Sequence, residues 1–202
     1  MVVRLTVRIA EKQEDFFRLI RLREEVFVIE QGVPLEIELD DEDDRAIHFV
    51  AISGREVIGT ARLVVKGRSG QGKSGQRKSG KIGRMAVRKD WRGKGVGTAL
   101  IDFIKKSSKR KRLIGLYLHA QESALSFYQH LGFNPEGDRF YEAGIPHRKM
   151  ILNEGRWEEV GGRRKIDKRG DGHFKCNKFY LTWRFSLHLN RDLDRAELYY
   201  VE

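Results

Sequence analysis

Hydrophobic positions along the chain change period several times, and each change marks an element. Leu5, Val7 and Ile9 alternate with polar neighbours and predict a first strand. From Asp15 to Gln31 the residues Phe16, Phe17, Leu19, Ile20, Val26, Phe27 and Ile29 fall at near-helical spacing, predicting a helix with Asp15 as N-cap and Gly32 as its stop. Pro34 then forces the chain out of helix. His48 to Ile52 and Val57 to Val65 read as two strands about a Gly54-Arg55 turn, an antiparallel meander leading into a third apolar run, Ile82 to Val87. Helical period resumes with Val96, Leu100, Ile101 and Ile104; Leu113 to Ala120 is the next strand, and Gln121 to Phe133 a short amphipathic helix ended by Gly132. Late in the chain Phe179, Leu181, Trp183, Phe185, Leu187 and Leu189 alternate with Tyr180, Thr182, Arg184, Ser186, His188 and Asn190. That is one long strand with a single apolar face, which must cover the sheet or a second subunit.

Composition narrows the class. At 202 residues and 40% apolar content the chain can bury one core and carry an appendage. No apolar run approaches the ~18 residues of a membrane span, and an N-terminus charged at Arg4 and Arg8 lacks a secretory apolar region. Cys176 is the single cysteine, which excludes an internal disulfide and makes a cytoplasmic location the expectation. The net charge of +11 is local: residues 1–65 are net −5, residues 66–112 net +15, residues 113–152 net −1 and residues 153–202 net +2. A basic block centred on one glycine turn suits a compact polyanion better than a nucleic acid, and the acidic half beside it suits a cationic substrate. Glu36 to Asp44 holds seven carboxylates in nine residues and is a candidate rim for drawing in an amine. No His or Cys stands at ligand spacing from it, so no metal site is expected.

Gly67-x-x-x-x-Gly72-Lys73-Ser74 satisfies a nucleotide-binding expression by composition alone. That motif needs a helix behind it, and Gly75-Gln76-Arg77-Lys78-Ser79-Gly80 cannot hold one. The tract Lys66 to Gly80 reads instead as a flexible basic loop able to touch RNA non-specifically.

The chemistry centres on Arg92-Gly93-Lys94-Gly95-Val96-Gly97, a glycine turn between a strand and a helix. Glycines let successive N–H groups converge on an anion, and the helix behind them aims its free N–H groups and positive dipole end at the same point. Arg92-x-x-Gly95-x-Gly97 resembles the acyl-CoA pyrophosphate loop of the GCN5-related N-acetyltransferase (GNAT) superfamily. Ala124-x-x-Phe127-Tyr128-x-x-Leu131-Gly132-Phe133 resembles that superfamily's second signature, in the right order. Arg23 to Pro34, Glu38 to Asp40, Asp43 to His48, Leu118 to Gln121, Glu142 to His147 and Met150 are similar to its ElaA-like branch. The resemblance covers residues 4–152, giving an acetyltransferase domain at 1–152; residues 153–202 form a β-rich extension outside the family pattern.

The resemblance implies the α/β GNAT (acyl-CoA N-acyltransferase) fold, a mixed, twisted sheet splayed between its fourth and fifth strands. Acetyl-CoA would be the cosubstrate. The backbone of Met85, Ala86 and Val87 would hold the pantetheine arm, and Arg92, Gly93, Lys94, Gly95, Val96, Gly97 and Thr98 the pyrophosphate. Tyr128 would be the acid for the departing thiolate, a phenol near ~10 against a thiol near ~8.5. Gln121 stands where many relatives carry Asn and would offer an amide contact. Some relatives place a Glu base on the central strand, where this chain has Arg84. His119 is then the leading candidate, followed by His48 and Glu30, with deprotonation through water equally open. The implied activity is direct attack of a primary amine, on a small molecule or a peptide, in a ternary complex. The same fold carries acyl-homoserine lactone synthesis, and Arg23 with Val26-Phe27 resembles those enzymes faintly; the intact second signature favours acetyl transfer. The alternatives are a basic RNA- or ribosome-associated binding module and a non-catalytic acetyl-CoA sensor. The long late strand further suggests a homodimer formed through it.

Overall fold

The structure is a computed structural model that describes residues 3–67, 78–153 and 195–200. The predicted meander and central strand form: β1 (Val3–Ile9), β2 (Ile47–Ser53), β3 (Glu56–Gly67) and β4 (Lys78–Val87), each antiparallel to the one before it in the sheet. β4 and β5 (Gly115–Gln121) pair in parallel, joined by the helix α3 (Val96–Arg110) as a crossover. β6 (Asn134–Glu142) and β7 (Ile145–Asn153) form a hairpin, and β7 returns antiparallel to β5. With β8 (Arg195–Tyr200) added antiparallel to β1, one sheet runs β6-β7-β5-β4-β3-β2-β1-β8. The mixed, splayed α/β architecture read from the sequence is therefore the observed one. The tract 68–77, most of the extension and the strand read at 179–190, with the dimer read from it, lie outside the described residues.

Each face of the sheet carries its own core, because alternate side chains of a strand point to opposite faces. Leu5, Val7, Phe49, Ala51, Leu63 and Ile82 pack on one face against Leu100, Ile101 and Ile104 of α3. On the other, Val50, Val57 and Ala86 pack against Leu19 and Leu22 of α1 (Gln13–Arg23) and against Val26.

The first helix departs from its expected course at both ends. Lys12, not Asp15, is the N-cap; Asp15 sits in the first turn, accepts the Lys12 N–H at 3.4 Å and pairs with Arg8 at 2.6 Å. From Glu24 to Glu30 the helix widens into π-helical turns before Gly32, at φ +70°, ends it. The widening explains why Val26, Phe27 and Ile29 fit a 3.6-residue period poorly, and it carries Phe27 and Gln31 over the mouth of the sheet. A four-residue helix, α2 (Leu35–Glu38), follows.

Two irregularities in β4 open the sheet. Its parallel ladder with β5 lasts only from Gly80–Leu116 to Ile82–Leu118, so the strands part beyond it. Against β3 the register shifts between Thr60–Ala86 and Arg62–Gly83, leaving Arg84 and Met85 as a bulge opposite Ala61. Arg84 takes φ +48°, a left-handed conformation costly for a residue with a side chain. Its guanidinium offsets that cost by donating to the carbonyls of Ile37, at 2.7 Å, and Glu38, at 2.9 Å.

Candidate active site

Where β4 and β5 part, a cleft of about 410 Å³ opens, lined among others by Phe27, Gln31, Met85, His119, Tyr128 and Glu142. Tyr128 reaches it from α4 (Leu125–His130), its ring edge-on to Phe127 at 4.9 Å and Phe133 at 5.9 Å. The hydroxyl donates to Met85 Sδ at 3.3 Å. Burial pushes the phenol up to about 12. The close match to a thiol expected from an ordinary phenol is thereby corrected: this hydroxyl stays protonated throughout the working pH range.

His119 projects from β5 into the same cleft, with Nδ1 2.6 Å from Glu142 Oε1 at the end of β6. Phe140 meets its ring edge-on at 4.9 Å and stacks on His147 at 6.1 Å. The hydrogen bond to His119 holds the Glu142 carboxyl below the usual range. Gln121, one step further along the same face of β5, donates to Gln31 Oε1 at 2.9 Å, which ties β5 to the end of the π-helical segment. Glu142 carried no assigned role in the sequence reading. The signal that could have exposed it is its place in Glu142 to His147, since a two-residue turn folds that motif back beside β5.

The acidic stretch is not a free rim. Arg23, fully buried, bonds Glu38 through Nε and Asp43 through Nη1 at 2.8 Å. Arg62 pairs with Asp40 at 2.7 Å and with Asp43 at 2.9 Å, and Lys66 pairs with Glu42. Burial raises Asp43, yet the hydrogen bonds and charge of Arg23 outweigh it and hold that carboxyl well below its ordinary value. Four of the seven carboxylates are thus matched by cations that fasten the loop to the sheet. His48, buried under Phe16, takes a 2.9 Å hydrogen bond with the Asp43 carbonyl and is held below its ordinary value by burial. It does not line the cleft.

The glycine loop lies just beyond Met85. Gly93 and Gly95 take φ of +75° and +76°, and α3 begins at Val96. The first backbone bond at that helix end runs from the Ala99 N–H to the Gly95 carbonyl at 3.0 Å, so the amides of Val96, Gly97 and Thr98 are the free donors of a helix N-terminus, whereas the Arg92 N–H is bonded to the Lys89 carbonyl at 3.4 Å. A Cβ on Gly97 would stand 3.0 Å from Phe127 Cζ and 3.2 Å from Met85 Cε. Met85 is therefore the link: its methyl abuts the start of α3 at Gly97 and its sulfur accepts the Tyr128 hydrogen bond. Residues 92–98 themselves are outside the cleft lining. Arg92 bonds the Val87 carbonyl at 3.0 Å and grips Glu30 with two contacts of 2.5 and 2.6 Å. Glu30 is thus engaged at the loop rather than in the cleft. Among the described residues no cluster of His, Cys, Asp or Glu could hold a metal ion, and no helix is long and apolar enough to cross a membrane.

Comparison with known proteins gives concordant results. Residues 13–154 match the model of the acetyltransferase (GNAT) domain. An uncharacterized N-acetyltransferase of Bacillus subtilis, YjcF, is 33% identical over 144 residues, 71% of this chain and 96% of that protein. The crystal structure of an acyl-CoA N-acyltransferase from Pseudomonas aeruginosa superposes with a TM-score of 0.61 at 27% identity, covering 74% of this chain and 98% of that one. Escherichia coli ElaA superposes with a TM-score of 0.59, also at 27% identity, covering 75% and 99%.

Proposed function

The chain belongs to the acetyltransferase (GNAT) family, and we propose that it transfers the acetyl group of acetyl-CoA to a primary amine by direct attack in a ternary complex. One observation carries this reading: a buried phenol at the mouth of the splayed strands, bonded to a bulge residue that also touches the glycine loop. In this proposal the loop 92–98 and the dipole of α3 bind the diphosphate, and the freed edge of β4 at Met85, Ala86 and Val87 pairs with the pantetheine arm. Gln121 holds the wall of the cleft through Gln31. Glu142 to His147 and the segment 23–34 favour the ElaA-like branch within the family.

The amine nitrogen forms its bond to the thioester carbon, a base takes one N–H proton, and the C–S bond breaks to release the thiolate. Full proton transfer from a phenol at about 12 to a thiolate near ~8.5 is uphill by about 5 kcal/mol. Tyr128 therefore acts chiefly by donating a hydrogen bond to the sulfur as charge develops, in a site where burial strengthens that bond. His119 is the base: of the two imidazoles that line the cleft, His119 and His147, it is the one whose Nδ1 meets a carboxylate, that of Glu142.

Tyr128→Phe should lower kcat by about tenfold or more while acetyl-CoA affinity changes less than about twofold. Release of free thiol in the presence of an amine panel measures the first, and calorimetric titration the second. Unchanged turnover would remove Tyr128 from the mechanism. Protein that binds acetyl-CoA yet consumes it with no amine would replace the transferase with a sensor.

Glu30 occupies Arg92 as a phosphate would, so Glu30→Gln should tighten acetyl-CoA binding by about two- to fivefold at low salt, the worth of one exposed pair. A loosening would show instead that Glu30 places Arg92 for the diphosphate.

A further inference from the structure

The motif Glu142 to His147 lies in the cleft wall, and nothing in the reaction as described uses its carboxylate. Glu142 Oε1 stands 2.6 Å from His119 Nδ1. An ionised carboxylate can only accept, so Nδ1 must carry the hydrogen and the lone pair of the neutral ring lies on Nε2. Phe140, edge-on to His119 at 4.9 Å, and Tyr117, at 6.4 Å, restrict how the ring can turn.

Resting on the transferase reading, we propose that Glu142 is the positioning residue that makes His119 a base: it fixes the Nδ1–H tautomer, presents Nε2 to the attacking amine, and offsets the charge of the imidazolium formed. In the step itself the amine N–H bond breaks, its proton joins His119 Nε2, and the electron pair stays on nitrogen for the new N–C bond. The proton then passes to solvent, restoring the ring.

The charged neighbours do not supply a substitute. His147 on β7 commits Nδ1 to the Ile145 carbonyl at 2.8 Å, and Lys149, opposite His119 in the ladder, pairs with Glu136. Lys81 on β4 lies 3.9 Å from Glu42. Across the cleft Arg84 is held by Glu38 at 3.0 Å and Asp40 at 3.1 Å. Lys81 and His147 add positive potential that keeps Glu142 ionised, in the direction of its lowered pKa. Glu142 is half-exposed, so a purely structural strut here would contribute little to stability.

The test combines nitrogen-15 NMR of the histidines with pH-rate profiles for the wild type, Glu142→Gln and His119→Ala. Wild-type His119 should be the Nδ1–H tautomer; the amide of Glu142→Gln can donate as well as accept, so it no longer fixes that tautomer and the Nε2–H form should appear beside it. Turnover should fall by about 10- to 100-fold in Glu142→Gln, with the KM for acetyl-CoA within about twofold and the acidic limb of kcat/KM moved to lower pH. In His119→Ala that limb should vanish. An Nε2–H ring in the wild type, or a Glu142→Gln rate and profile matching the wild type, overturns the pair alone. A wild type that turns over no amine overturns the transferase reading, and the base assignment with it.

Discussion

Replacing Arg23 with alanine should cost about 3–5 kcal/mol of stability, the largest loss expected from any single change near the cleft. Arg23 is fully buried, and every arm of its guanidinium is engaged. Nε bonds the Glu38 carboxylate, Nη1 reaches Asp43 at 2.8 Å, and Nη2 reaches the Glu38 carbonyl at 2.7 Å and Asp43 at 3.2 Å. Removal leaves the buried Glu38 carboxylate with Arg84 and the buried Asp43 carboxylate with Arg62 and the Asp40 N–H. Lysine is no remedy, since a single ammonium cannot fork between two carboxylates and a carbonyl. Urea denaturation measures the effect, and a loss below ~1 kcal/mol would show that the network adds little beyond packing. The pH dependence follows in sign. Asp43 has a folded pKa below its unfolded one, so its contribution is full above the unfolded value near ~3.9 and fades as pH falls through the folded value. The wild type should lose stability steeply in acid, and the Arg23→Ala variant less steeply.

The arginines also explain which features were legible in the chain. Period alone located β1 to β5, α3 and α4, because burial of one face imposes a spacing that neighbours in sequence reveal. The two signatures located the glycine loop and Tyr128 for the same reason: each is a contiguous device. What stayed hidden is non-local. Arg84 looked like the absence of a carboxylate; it is the bulge residue that pins the acidic loop from 44 residues away in sequence. The carboxylates of 36–44 looked like free charge because their partners, Arg23, Arg62 and Lys66, lie on other elements. Glu142 met His119 only once the β6–β7 hairpin folded back beside β5. The π-helical widening at Glu24 gave no spacing signal distinct from an imperfect helix, since three apolar residues that fit the 3.6-residue period poorly are too few to define another.

Gly95→Glu should weaken acetyl-CoA binding by about 100-fold or more, and two separable terms set that figure. Gly95 holds φ at +76° immediately before α3, where a side chain costs roughly 1–2 kcal/mol in this left-handed conformation. A carboxylate placed about 5 Å from a diphosphate adds repulsion on the order of 3 kcal/mol at an effective dielectric near 20. Gly95→Ala carries only the first term and should lose about 5- to 30-fold. The difference between the two variants should shrink as salt is raised, because exposed charges are screened within about 8–10 Å at 0.1–0.15 M. Backbone strain alone would give equal losses and no salt dependence. Calorimetric titration with acetyl-CoA at two ionic strengths distinguishes the cases. Binding by Gly95→Glu within threefold of the wild type would mean that the diphosphate sits elsewhere. The helix dipole of α3, the contact of Gly97 with Met85 and the alignment of Tyr128 would then have lost their common purpose.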